Sequence, residues 1–255
     1  MNQNVIYKEG IISEIVLNRP EKLNSLNKET LNELKQALNA ISENQSCKCA
    51  IIRGAGSRAF SAGADLEYLS SLKDKNEAGE FFDLMYSTFH QIELIEKPFI
   101  AAIHGYCLGG GNELAIACDI RIASYGSVFG QPETTLGIVP GGGAQHKLPM
   151  IIGKEKAKEL ISTGKTFNAE EALKIGLIGL LVNNQELDSE ATRLASGIIE
   201  MGYAAAVERK KSITRSISFD YEKEKKEFVE HLMSEKGKNG IDAFLRHKKQ
   251  ENKEK

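Results

Sequence analysis

The chain has 255 residues, 41% hydrophobic and 27% charged, with 33 Lys and Arg against 35 Asp and Glu for a net charge of −2. That composition suits a globular protein able to bury its own core; it excludes a disordered or collagen-like chain and gives nucleic acid no electrostatic footing. No stretch approaches the ~18 uninterrupted apolar residues of a membrane span, and residues 1–8 lack the basic and apolar regions of a secretory signal, so a cytoplasmic protein is expected.

Val5 to Tyr7 and Ile11 to Leu17 read as two short strands parted by Glu9-Gly10, a hairpin that Asn18-Arg19-Pro20 ends. Leu31, Leu34, Leu38 and Ile41 fall at helical spacing behind Asn27, a fitting N-cap, and Ala50 to Arg53 is strand-like. A second amphipathic helix carries Phe82, Met85, Phe89 and Ile92 and stops before Pro98, leading into the apolar run Phe99 to Ile103. After Gly109-Gly110-Gly111, Leu114 to Cys118 continues as a short helix and Ile120 to Ala123 as a strand. Beyond Gly153 the pattern is mainly helical, with Ala157, Leu160 and Ile161 on one face and Asn168 capping toward Glu171. Leu177 to Val182 interrupts it as a strand. From Gln185 onward helices are expected, including a charged segment at Tyr221 to Lys225 whose apolar face is sparse enough to need a partner.

Cys47, Cys49, Cys107 and Cys118 offer no C-x-x-C and no zinc-finger spacing, and reduced structural thiols are expected. The five histidines contain no H-E-x-x-H, so no metal is called for. Glu208 to Lys255 holds 14 Lys and Arg against 10 Asp and Glu. Such a locally basic tail is either a solvated helical face or a rim that meets a phosphorylated ligand or another subunit.

Gly54-Ala55-Gly56-Ser57-Arg58-Ala59 mimics a dinucleotide fingerprint, but a further glycine turn, Ala62-Gly63-Ala64-Asp65, follows where a pyrophosphate site needs a long helix. In that second turn small side chains would let a ligand lie against backbone, and Asp65 could cap the next segment. Gly109-Gly110-Gly111 at a helix start could aim N–H groups at an anion that forms during reaction, or could simply permit close packing. Glu113 stands beside the apolar Leu114-Ala115-Ile116-Ala117, where a carboxylate is costly unless partnered or used. Glu133 follows Pro132 and by itself reads as an ordinary first-turn acid.

The order of these pieces is specific. Asn18-Arg19-Pro20-Glu21-Lys22-Leu23-Asn24-Ser25-Leu26-Asn27, Phe60-Ser61-Ala62-Gly63-Ala64-Asp65-Leu66, His104-Gly105-Tyr106-Cys107-Leu108-Gly109-Gly110-Gly111-Asn112-Glu113-Leu114 and Phe129-Gly130-Gln131-Pro132-Glu133, running on to Gly141-Gly142-Gly143, together resemble the crotonase family of enoyl-CoA hydratases and isomerases. The resemblance covers nearly the whole chain. It implies an α/β fold, a spiral of repeated ββα units over residues 1–195, with a C-terminal helical region over 196–255 that serves oligomerisation and closes the CoA site. It implies a homotrimer, or a hexamer as a dimer of trimers.

By motif position, the resemblance makes the Ala64 and Gly110 amides an oxyanion hole for an acyl thioester. Glu113 and Glu133 become the catalytic acids, and the Gly141 backbone holds a water. Lys22, Leu23, Ala62, Asp65 and Leu66 fall where the family binds CoA, with Phe244 and Lys248 as contacts from a neighbouring subunit's tail. The implied reaction is hydration of a 2-enoyl-CoA, fatty-acid chemistry with no cofactor beyond the CoA of the substrate. The alternatives are a Δ3,Δ2-enoyl-CoA isomerase or a binding protein that keeps the fold without turnover. Two departures stand out: Glu67 occupies a position that is often Lys, and Gly143-Ala144-Gln145-His146-Lys147-Leu148 replaces the commoner Gly-Gly-Thr-Gln-Arg-Leu.

Overall fold

In the computed structural model, which describes residues 3–214 and 221–251, the expected hairpin opens the fold. β1 (Val5–Lys8) runs antiparallel to β2 (Ile12–Leu17), with Val5 opposite Leu17. α1 (Lys28–Glu43) follows, its first turn capped by the Asn27 side chain, which accepts from the Thr30 amide. Such a cap is worth ~1 kcal/mol. Leu31, Leu34, Leu38 and Ile41 form its fully buried stripe.

From there the chain climbs in repeated steps of two strands and a helix. β3 (Cys49–Gly54) turns into β4 (Ala59–Ser61), then α2 (Leu66–Ser71) and α3 (Lys75–Leu94). The Gly54-Ala55-Gly56 turn therefore enters a strand and not a pyrophosphate-binding helix. β5 (Phe99–Ile103) and β6 (Tyr106–Leu108) lead to α4 (Gly110–Ala117), and β7 (Ile120–Ser124) to β8 (Val128–Gly130). α5 (Ala144–Ile152), α6 (Lys154–Thr163), β9 (Thr166–Asn168), α7 (Ala169–Lys174) and β10 (Leu180–Val182) complete the spiral. First strands of successive steps share one sheet, ordered β1-β2-β3-β5-β7-β10, and second strands share another, ordered β4-β6-β8-β9. The strand expected over Leu177 to Val182 is shorter, because the Leu177 and Ile178 amides donate to the Ala172 carbonyl and close the end of α7.

α8 (Leu187–Thr214), broken at Gly202, lays Leu187, Ala191 and Ala195 on the outer face of the first sheet against Cys49, Ile51 and Ile100. Near its end Lys210 is buried, and its Nζ donates to the Ile92 and Lys97 carbonyls and to Asp119 at 2.8, 2.9 and 2.9 Å. α9 (Tyr221–Leu232) and α10 (Glu235–Glu251) fold back over the core. The charged start of α9 finds its partner in α3 of its own chain, where Lys225 pairs with Asp83 at 2.6 Å and Phe228 meets Phe82 at 5.4 Å between ring centres. The basic count over the tail includes Arg215 and residues 252–255, which lie outside the described residues.

All four cysteines are buried free thiols. Among the described residues no helix is long and apolar enough to cross a membrane, and no three His, Cys, Asp or Glu gather to hold a metal ion.

Candidate active site

Two glycine turns meet where the buried strand β5 and the short strand β6 deliver the start of α4. Gly109 has φ +51°, and the first helical bond runs from the Glu113 amide to its carbonyl at 2.9 Å. The Gly110 amide therefore has no acceptor within the helix and points out at its positive end. Opposite, the Leu26 amide donates to Gly63 and the Asp65 amide to Leu26, both at 2.8 Å, which leaves the Ala64 amide between them outside that ladder. Gly63 has φ +93°, and a Cβ there would stand 2.8 Å from the Leu108 carbonyl and 3.1 Å from the Gly110 nitrogen. A Cβ on Gly110 would lie 3.5 Å from the Ala64 nitrogen. The Ala64 and Gly110 amides are thus neighbours, and small residues are what lets them be.

The Asn18 to Asn27 segment is lashed to this turn. Arg19 pairs with the buried Asp65 at 2.9 Å and donates to the Ser25 carbonyl at 2.7 Å. Asn24 donates to the Ala55 and Ala59 carbonyls, and the Leu23 carbonyl accepts from the Ala62 amide at 2.9 Å. Asp65 also caps α2, accepting from the Glu67 and Tyr68 amides. Lys22 reaches Glu67 at 2.8 Å, and Leu66 is half-buried. Lys22, Leu23, Ala62, Asp65 and Leu66 consequently form one neighbourhood. Phe244 and Lys248 are exposed on α10, which packs on α2 and on the 3-10 turn Pro132–Leu136.

Glu113, only 1% exposed, lies on α4 with the apolar run around it. Among the described residues no salt bridge holds it. Its Oε1 accepts from the Gly142 amide at 2.7 Å and the Ala144 amide at 3.0 Å. Burial pushes its carboxyl up, while the Ala144 and Gly142 amides and then Lys147 pull it back toward the ionised form. Glu133, in the 3-10 turn, has a different setting. Oε1 accepts from Gln131 at 3.2 Å, and the buried Oε2 has no hydrogen-bond partner among the described residues. Burial first, then the charge of Glu113, pushes its carboxyl up to about 8. One acid is held by N–H donors and the other is kept from ionising, which is the division of labour needed for base and acid in one site.

Sequence reasoning missed two contributors. Asn112 donates to the Gln131 side chain at 2.8 Å, so a buried amide chain from α4 orients the group that contacts Glu133; Gln131 stood in the quoted motif without a role. Glu224 on α9 is 1% exposed, and its Oε1 accepts from the Gly143 amide at 3.2 Å. Its place within Glu222-Lys223-Glu224-Lys225-Lys226 signals only a solvated face.

Residues 7–255 match the sequence profile of the enoyl-CoA hydratase/isomerase family. A crotonyl-CoA hydratase of Syntrophomonas wolfei is 38% identical over 96% of this chain and 95% of its own. A short-chain-enoyl-CoA hydratase of Clostridium acetobutylicum is 38% identical over 98% and 97%. Among solved structures, an enoyl-CoA hydratase from Bacillus anthracis superposes with a TM-score of 0.81 at 34% identity, over 96% of this chain and 97% of that one.

Proposed function

The chain belongs to the enoyl-CoA hydratase/isomerase family and is an enoyl-CoA hydratase; we propose that it adds water reversibly, in the syn sense, across the α,β double bond of a 2-enoyl-CoA to give the 3-hydroxyacyl-CoA. The observation that carries the mechanism is the pair of buried acids in unlike settings, Glu113 bound by backbone N–H groups and Glu133 raised to about 8.

In this reading the thioester oxygen accepts from the Ala64 and Gly110 amides, each worth roughly 3 kcal/mol as charge moves onto that oxygen. Ionised Glu113 takes a proton from a water held by the Gly141 backbone while the water oxygen bonds to C3. Protonated Glu133 gives its proton to C2, and the enolate electrons return to form the C2–H bond. No metal or second cofactor enters the balance. CoA lies along Lys22, Leu23, Ala62, Asp65 and Leu66, with Phe244 and Lys248 reaching the CoA of a neighbouring subunit in a trimer or a hexamer of two trimers. The core covers 1–195 and the helical region 196–255, with the division falling inside α8. A cytoplasmic setting accords with the free buried thiols.

Incubating the purified protein with crotonyl-CoA in heavy-oxygen water tests this. The expected product is 3-hydroxybutyryl-CoA carrying the label at C3. Conversion of a 3-enoyl-CoA to the 2-enoyl form with no label taken up from either substrate would make the isomerase the correct reading, and no turnover of any acyl-CoA would make it a binding protein.

A further inference from the structure

Glu224 is a buried acid that the proposed chemistry does not use, and it sits directly behind the loop on which that chemistry depends. Three successive amides of the loop point to two carboxylates: Gly142 and Ala144 donate to Glu113, and Gly143 between them donates to Glu224. The second carboxyl oxygen of Glu224 stands 3.3 Å from Nε2 of His146, one turn into α5. Four residues along α9, the Phe228 ring fills the space that a side chain on Gly141 would need. α9 is fixed in turn to α3, by Lys225 and Tyr221 on Asp83 and by Phe228 on Phe82. One helix from the C-terminal region therefore touches both ends of Gly141-Gly142-Gly143.

We propose that Glu224 is a positioning residue for hydration: by accepting the Gly143 amide, and with Phe228 beneath Gly141, it holds the loop so that Glu113 and the Gly141 backbone address the same water. The proposal rests on the hydratase reading. Packing alone is a poor account of a carboxyl at this place, because burial and then the charge of Glu113 push Glu224 up to about 8, a cost that an apolar side chain of the same length would not carry. What such a side chain lacks is the acceptor. Without it the Gly143 amide would be buried and unpaired, and the loop would turn to satisfy it. A shift of ~1 Å in a group that aims a reactant can cost about 100-fold in rate.

Glu224→Gln keeps an oxygen for Gly143 and removes the ionisable proton; Glu224→Met keeps the length and removes the oxygen. Steady-state hydration of crotonyl-CoA, with circular dichroism and sedimentation as controls of fold, is expected to show Met losing at least about tenfold in kcat with KM held within about twofold, and Gln recovering most of the loss. Should Met not fold, Glu224→Asp, which draws the carboxylate back from Gly143, carries the same test with the same expected loss. Equal loss in Gln and Met, a change confined to KM, or wild-type kcat in a folded Met or Asp variant would each overturn the positioning role while leaving the hydratase standing. A wild-type protein that hydrates no enoyl-CoA would overturn both.

Discussion

Gly109 and Glu133 compete for one space: a Cβ on Gly109 would stand 2.7 Å from Oε1 of Glu133. The glycine turn at the start of α4 thus also makes room for the carboxyl proposed to protonate C2. Gly109→Ala is expected to lower kcat by about 100-fold by displacing that carboxyl, and the positive φ adds a stability cost of about 1–3 kcal/mol. Steady-state kinetics together with urea unfolding separate the two effects; unchanged kcat would show that Glu133 has no fixed place.

The three glycines should respond differently to alanine. At Gly111 an added Cβ would collide with the Ser61 carbonyl, a backbone group that cannot step aside, and a loss of about 1–3 kcal/mol or failure to fold is expected. At Gly110 the nearest atom is 3.5 Å away, an ordinary contact, so Gly110→Ala should fold with stability within about 1 kcal/mol of wild type, and its methyl should cost rate by standing where the thioester oxygen is proposed to approach the Ala64 amide. Thermal denaturation and turnover of the pair are the measurement, and full activity in folded Gly110→Ala would show that the methyl does not reach the bound thioester.

Replacing either acid by its amide should cost about 10²–10⁴-fold in kcat with little change in KM. Glu133→Gln removes the proposed proton donor and Glu113→Gln the proposed base, so each should suppress hydration of crotonyl-CoA on its own. Near-wild-type rates in both variants would exclude the two-acid mechanism.

The rate should follow a bell in pH. Glu133 must be protonated, and burial together with Glu113 raises it to about 8, so activity falls as pH rises through that value. Glu113 must be ionised, and burial raises it above the usual carboxylate range, so activity falls again as pH drops through its raised value. Profiles of kcat/KM should show both limbs, and a flat profile on the alkaline side would mean that Glu133 does not act as an acid.

The Lys22–Glu67 pair, 2.8 Å apart, occupies a cation expected to meet CoA. Exposed pairs of this kind are worth about 0.2–1 kcal/mol. Glu67→Ala should therefore tighten CoA binding by up to about fivefold at low salt and less at high salt. Calorimetric titration with CoA measures this, and weaker binding in the variant would mean that Glu67 itself contacts the ligand.

What was legible in the sequence was what neighbours along the chain decide. The Asn27 cap and the Leu31 to Ile41 stripe lie within one helix, and Asp65 caps the segment directly after it. The second sheet was not legible, because β4, β6, β8 and β9 have three residues each, too few to show an alternation. Glu113 and Glu133 stood out through their motifs, yet the amides that hold Glu113 come from Gly142 and Ala144 and become partners only when α4 meets the turn before α5. Glu224 was hidden most completely. Its neighbours are lysines and glutamates, and nothing local says that this one acid of the run faces inward.

The Gly143 amide is separated from its Glu224 acceptor by 81 residues. A chain emerging from the ribosome makes the glycine loop, both acids and the paired amides long before it makes the helix that braces them. Nascent protein stopped short of α9 would hold the glycine loop and both acids without the acceptor for the Gly143 amide, so the brace can form only after the loop it steadies has already been made.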